Sequence, residues 1–207
     1  MFDIDHLVAD CRAALATPSP QVLIRELVAR AVSQASEVER ALGTPRLGGL
    51  FPLHRSPELT ILNVVWAPGM AIYPHDHRMW AVIGLYGGRE DNTFYRRSPQ
   101  GLVVAGARRM AGAETVLLGD AVIHAVANPL RAFTGALHIY GGDFFGAARS
   151  EWTPGSLVER PFDVERARRV YAEANERWAR EQEGPGGADR ASRHRPAPAA
   201  PPAMKRG

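Results

Sequence analysis

Apolar positions in the first quarter of the chain recur at helical spacing. Residues 3–16 place Leu7, Val8, Cys11 and Leu15 on one stripe, and Pro18 ends the helix that this spacing predicts. A second predicted helix covers 20–42. Pro20 sits in its first turn, Val22, Leu23, Leu27, Val28, Ala31 and Val38 carry the apolar face, and Gly43 stops it. At Leu50 the period changes. Short β-like runs follow at Leu59–Trp66, Met70–Tyr73, Ala81–Tyr86, Asn92–Arg96, Leu102–Ala105, Glu114–Leu118, Ala121–Val126 and Phe133–Tyr140. Turn signals such as Pro68-Gly69, Gly87-Gly88, Gly119-Asp120 and Asn128-Pro129 separate them. Short strands at nearly regular spacing predict a mainly β fold, a small antiparallel barrel or jelly roll whose interior holds one small ligand. A third helix fits 163–180, with Asp163 as N-cap.

These elements divide the chain into a helical segment packed on the barrel (1–49), the barrel with its site (50–146), a C-terminal helical segment (147–182) and a tail (183–207). The tail is Gly-, Pro- and Ala-rich and too poor in apolar surface to offset its ordering entropy, so disorder is expected.

Composition narrows the function classes. At 207 residues and 45% hydrophobic, the chain has room for a substantial core. Its formal charge is +3, yet residues 184–207 carry five Lys and Arg against Asp189 alone. That leaves about −1 on the preceding 183 residues, so the folded part is not expected to bind nucleic acid. Neither a signal peptide nor an apolar run near the length of a membrane span is visible. The single cysteine excludes an internal disulfide, which suits a reducing, cytoplasmic setting.

Chemistry concentrates at histidine. In Pro74-His75-Asp76-His77 the two imidazoles are spaced i, i+2, which on a strand puts them on one face and Asp76 on the other. His124 follows in a second apolar run, Ala121–Val126. A lone strand histidine reads as a hydrogen-bonded core residue. Three that converge read as ligands of a transition metal such as zinc, copper, iron or nickel. Trp66, Trp80 and Phe133 are expected to fill the barrel or line its mouth, whereas His6, His54 and His194 have no evident partners.

The two segments resemble the two cupin motifs. Gly69, His75, His77 and Gly88 match the first, and His124 and Asn128 match part of the second. The glutamate usual in the first motif is absent, its place falling on Ala81 or Val82. A three-histidine set without a carboxylate resembles the thiol dioxygenase branch, cysteine dioxygenase and 3-mercaptopropionate dioxygenase. Leu137-His138-Ile139-Tyr140 is similar to that branch's outer-sphere His-x-Tyr, although Ala136 stands where its serine would orient the histidine.

The resemblance implies a cupin-type barrel, ferrous iron on His75, His77 and His124, and His138 and Tyr140 as catalytic residues. It implies a small thiol and dioxygen as substrates, a sulfinic acid as product, and a monomer or small homo-oligomer. Three neutral ligands leave the ion's charge uncompensated, which favours an anionic thiolate. In this reading Tyr140 donates its phenol proton to bound oxygen or to a substrate carboxylate, and His138 holds the phenol. A substrate carboxylate calls for an arginine fork. Arg55 is the first candidate and Arg78 the second, with Arg96, Arg97 and Arg131 left open. Two other classes remain: a metal-dependent cupin acting as an isomerase or carbon dioxygenase, and a non-enzymatic cupin that binds a small ligand.

Overall fold

The computed structural model describes residues 2–183; the expected disordered tail lies, but for Glu183, outside the described residues, as does His194. Its elements are α1 (Ile4–Ala14), α2 (Pro20–Val32), α3 (Ala35–Leu42), β1 (Gly49–Arg55), β2 (Thr60–Trp66), β3 (Ala71–Asp76), β4 (Ala81–Gly87), β5 (Arg89–Ser98), β6 (Gly101–Ala111), β7 (Thr115–Leu118), β8 (Ile123–Ala127), β9 (Thr134–Tyr140), β10 (Ser150–Trp152), β11 (Glu159–Pro161) and α4 (Val164–Glu183).

All strand pairs are antiparallel, in two sheets ordered β1-β2-β9-β4-β7 and β11-β10-β3-β8-β5-β6. Within them, the orders 2-9-4-7 and 3-8-5-6 are those of a double Greek-key jelly roll. The mainly β jelly roll with flanking helices is therefore observed. The strands do not close into one continuous barrel, because among the described residues no ladder joins the two sheets.

β2 and β9 are buried at every position, and β4 at all but its last. One face of this sheet packs on α1–α3 through Ile61, Val82, Leu137 and Ile139 against Leu7, Cys11, Ile24 and Val28. The other face turns Leu62, Val64, Ile83, Ala136 and Tyr140 toward the second sheet. Gly84 lets α2 approach this closely, since a Cβ there would stand 2.3 Å from Val28 Cγ1. Gly69 (φ +64°) and Gly88 (φ +83°) occupy the left-handed backbone region, as the turns bracketing the histidine pair require.

Several expectations need correction. The single helix over 20–42 is two, because Ser33 turns its hydroxyl back onto Arg30 O and Gln34 leaves the helical region (φ −110°, ψ 51°). β1 was not anticipated: Pro52 suggests a break, but β1 is an edge strand, where a missing N–H is tolerated. β3 runs on through Pro74, with an irregular register between Ile72 and His75 that accommodates it. Trp80 lies among the residues packed on the helix-facing cluster, outside the jelly-roll interior.

Candidate metal centre

β3 and β8 pair so that His75 and His124 are direct cross-strand partners. Directly opposed side chains share a face at close range. His77 lies one residue past the end of β3 and keeps the alternation, so its ring joins the other two. The ligand nitrogens of His75, His77 and His124 all lie within 4.8 Å of one another, and the three residues are at most 6% exposed. Asp76 faces away as expected, accepting from Ser150 N (2.8 Å) and pairing with Arg78 Nε (2.7 Å).

The ring orientations suit a cation. His75 Nδ1 lies 3.0 Å from Tyr73 O, and His124 Nδ1 lies 2.9 Å from Asn92 Oδ1. Both oxygens can only accept, so each Nδ1 carries the hydrogen and each Nε2 is left with a bare lone pair. Outer partners of this kind hold metal-binding imidazoles in orientation. His124 Nε2 is 3.4 Å from His77 Nε2, and His77 Nδ1 is buried with no partner among the described residues. Burial pulls His75 down to about 4 against the opposing effect of its bond to Tyr73, and the positive field of Arg149 adds to the fall. Burial, then the neighbouring rings, holds His77 and His124 well below the ordinary 6.5. Neutral imidazoles with converging lone pairs fit a divalent metal, and among the described residues no carboxylate belongs to the cluster.

The rings open onto a cavity lined by Trp66, His138, Tyr140, Phe144, Phe162 and Tyr171, among others. Its open space is about 30 Å³, room for roughly two water-sized bodies. Tyr140 hydroxyl lies 2.9 Å from His138 Nδ1, and its ring sits edge-on to His77 at 5.1 Å. Burial pushes the Tyr140 phenol up. Ala136, on the same strand face as His138, offers no hydrogen bond to it. Instead Glu90, fully buried on β5, places Oε1 3.5 Å from His138 Nε2 and accepts Trp66 Nε1–H at 2.6 Å.

The expected arginines lie elsewhere. Arg55 is half exposed and bidentate to Asp143, both bonds at 2.8 Å. Arg78 is half exposed on Asp76. Neither lines the cavity, and each is paired with a carboxylate, Asp143 and Asp76 respectively. Arg97 and Arg131 are likewise taken by Glu159 and Glu181. The cation beside the site is Arg149, which sequence reasoning passed over. It is 6% exposed, with its guanidinium carbon 3.9 Å from the Phe162 ring centre and 4.2 Å from that of Phe144. One terminal nitrogen donates to Phe144 O, while Nε and the other terminal nitrogen have no hydrogen-bond partner among the described residues. Burial lowers Arg149 to about 10, still cationic at neutral pH.

Both aromatic walls of this sandwich are fixed by polar bonds. Thr60 Oγ1 accepts Phe144 N at 3.0 Å and donates to Gly142 O at 2.7 Å. Buried Glu151 gathers Arg160 Nε (2.7 Å), Arg166 and Asp163 N (3.2 Å) around Phe162. Asp163 Oδ1 accepts Glu165 N at 2.9 Å, the bond of the expected N-cap. The one sequence signal for the missed supports is alternation along β5, which sends Glu90, Asn92 and Phe94 inward in turn.

No family model matches the chain. Among solved structures it is similar to a cupin superfamily protein from Desulfitobacterium hafniense, at 17% identity over 53% of this chain and 88% of that one, with a TM-score of 0.40. It is similar to an RmlC-like cupin family protein from Methanocaldococcus jannaschii, at 11% identity over 49% and 86%, with a TM-score of 0.41. A match to Peruvianin-I, a cysteine peptidase from Thevetia peruviana latex, has 16% identity, covers 41% of this chain and has a TM-score of 0.35. It spans about half, 51%, of the latter's length. Likeness this distant leaves the chemistry to be read from the residues themselves.

Proposed function

We propose that this protein is an iron(II)-dependent dioxygenase that converts a small carboxylate-bearing thiol to its sulfinic acid. One observation carries the reading: three neutral histidines converge without a carboxylate among the described residues, beside a buried arginine two of whose donors have no hydrogen-bond partner there. His75, His77 and His124 would hold the metal. A bound ferrous ion supplies redox chemistry with dioxygen and lets a thiol bind as thiolate.

The chain's own residues do the rest. Arg149, whose unpaired nitrogens favour a bidentate anion, binds the substrate carboxylate in place of Arg55 or Arg78. Arg149 lines an outer cleft with Arg78, Ser150 and Arg160. Phe144, Phe162 and Tyr171 line the cavity with aromatic surface, and its small volume favours a small substrate. Tyr140 and His138 keep a proton at the cavity wall.

Protein purified without oxygen is expected to contain ferrous iron and to consume dioxygen with cysteine or 3-mercaptopropionate in an oxygen electrode. Iron bound at full occupancy with no uptake for any small thiol would overturn the reading. Stoichiometric zinc, nickel or manganese would transfer it to a cupin enzyme of another class.

A further inference from the structure

We infer that Glu90 is a positioning residue that does for His138 what Ala136 cannot: it fixes the hydrogen on Nε2 and thereby leaves Nδ1 as an acceptor for the Tyr140 hydroxyl. Glu90 Oε1 is the acidic atom nearest His138 Nε2, at 3.5 Å, and that nitrogen has no hydrogen-bond partner among the described residues. Both side chains are almost fully buried, so neither is compensated by bulk water. A carboxylate only accepts, which assigns the hydrogen to Nε2. Trp66 Nε1–H, 2.6 Å from the same oxygen, supports this by holding that oxygen in place. Trp66 is itself fixed by stacking on Tyr171 at 5.5 Å.

The consequence reaches the cavity. With Nε2 protonated, His138 Nδ1 accepts the Tyr140 hydrogen across 2.9 Å, and the phenol oxygen presents its lone pairs to whatever occupies the pocket. Tyr140 is then a hydrogen-bond acceptor toward substrate, the reverse of the donor role that the sequence motif suggests. The order is that of a carboxylate, an imidazole and a hydroxyl, in which the acid selects the tautomer of the base. The tautomer holds in the metal-free chain; only its meaning for a thiol substrate rests on the proposed function.

Nitrogen-15 NMR of histidine-labelled, metal-free protein tests this. His138 signals are assigned by their loss in His138→Gln. The wild type is expected to show His138 with hydrogen on Nε2 alone; hydrogen on Nδ1, or on both nitrogens, overturns the inference. Glu90→Gln is nearly isosteric. Its amide oxygen must face the Trp66 N–H, and that oxygen is the one beside His138 Nε2, so Glu90→Gln is expected to keep Nε2–H, whereas Glu90→Leu removes the acceptor and is expected to populate Nδ1–H. An unchanged tautomer in a Glu90→Leu protein that retains the wild-type fold by circular dichroism also overturns it. If that variant does not fold, the wild-type spectrum alone decides. Absence of thiol oxidation would sink the dioxygenase reading and leave this result standing.

Discussion

Replacing Arg149 by Ala removes the cation that Phe144 and Phe162 sandwich. A charge-assisted bond of the kind proposed contributes about 1.5–3 kcal/mol, so KM for a carboxylate-bearing thiol is expected to rise about 10- to 100-fold. A thiol without a carboxylate should show little change, and Arg55→Ala should leave both substrates alone because Arg55 serves Asp143. Steady-state kinetics on the pair of thiols checks this. Cys11 is fully buried, and burial, then the nearby Asp10 charge, raises its thiol to about 12. Folded protein should therefore resist thiol-labelling reagents at neutral pH, while urea-unfolded protein reacts fully. The histidines and the His-x-Tyr pair were legible because the chemistry is written in their own spacing. Arg149 was not, because what marks it is an environment: two rings distant in sequence close on a side chain whose type is common at surfaces.

Among the elements, α2 and β4 make a contact close enough to test. A methyl at Gly84 would collide with Val28 Cγ1 and press Val32 Cγ1 at 3.1 Å. Overpacking of this kind typically costs about 1–3 kcal/mol, so Gly84→Ala is expected to lower the thermal midpoint without shifting the histidine cluster. Calorimetry and metal titration together would show it. Strands buried on one or both faces were legible from their apolar runs. Elements were missed where a local rule met an exception: Pro52 on an edge strand, Pro74 within an irregular stretch, and Ser33 breaking a helix whose apolar spacing continues on both sides. β10 and β11 have three residues each, too short for any period to declare itself.

At the scale of the whole molecule, one sheet lies between two apolar layers, one shared with the helices and the other facing the second sheet and the histidine cluster. Burying three imidazoles there ties stability to acidity. In the metal-free protein His75 titrates near 4 when folded and near 6.5 when unfolded, and His77 and His124 shift the same way. Between those values the unfolded chain takes up protons that the folded chain refuses. Stability is fully present above about 6.5 and falls as the pH drops toward about 4. Urea midpoints should therefore decrease between about pH 7 and about pH 5, and His75→Gln should flatten the decline. No helix among the described residues is long and apolar enough to cross a membrane.

β5 carries Asn92 and Phe94 behind His124 and Glu90 behind His138, on alternate residues of one strand. A strand read in steps of two tolerates exchange of its letters but not a change in their number. Removing one residue ahead of Glu90 would rotate Arg89, Asp91 and Thr93 into the interior and turn all three supports out together. Lineages that carry this protein should accordingly vary in the spelling of residues 89–94 while keeping that stretch the same length.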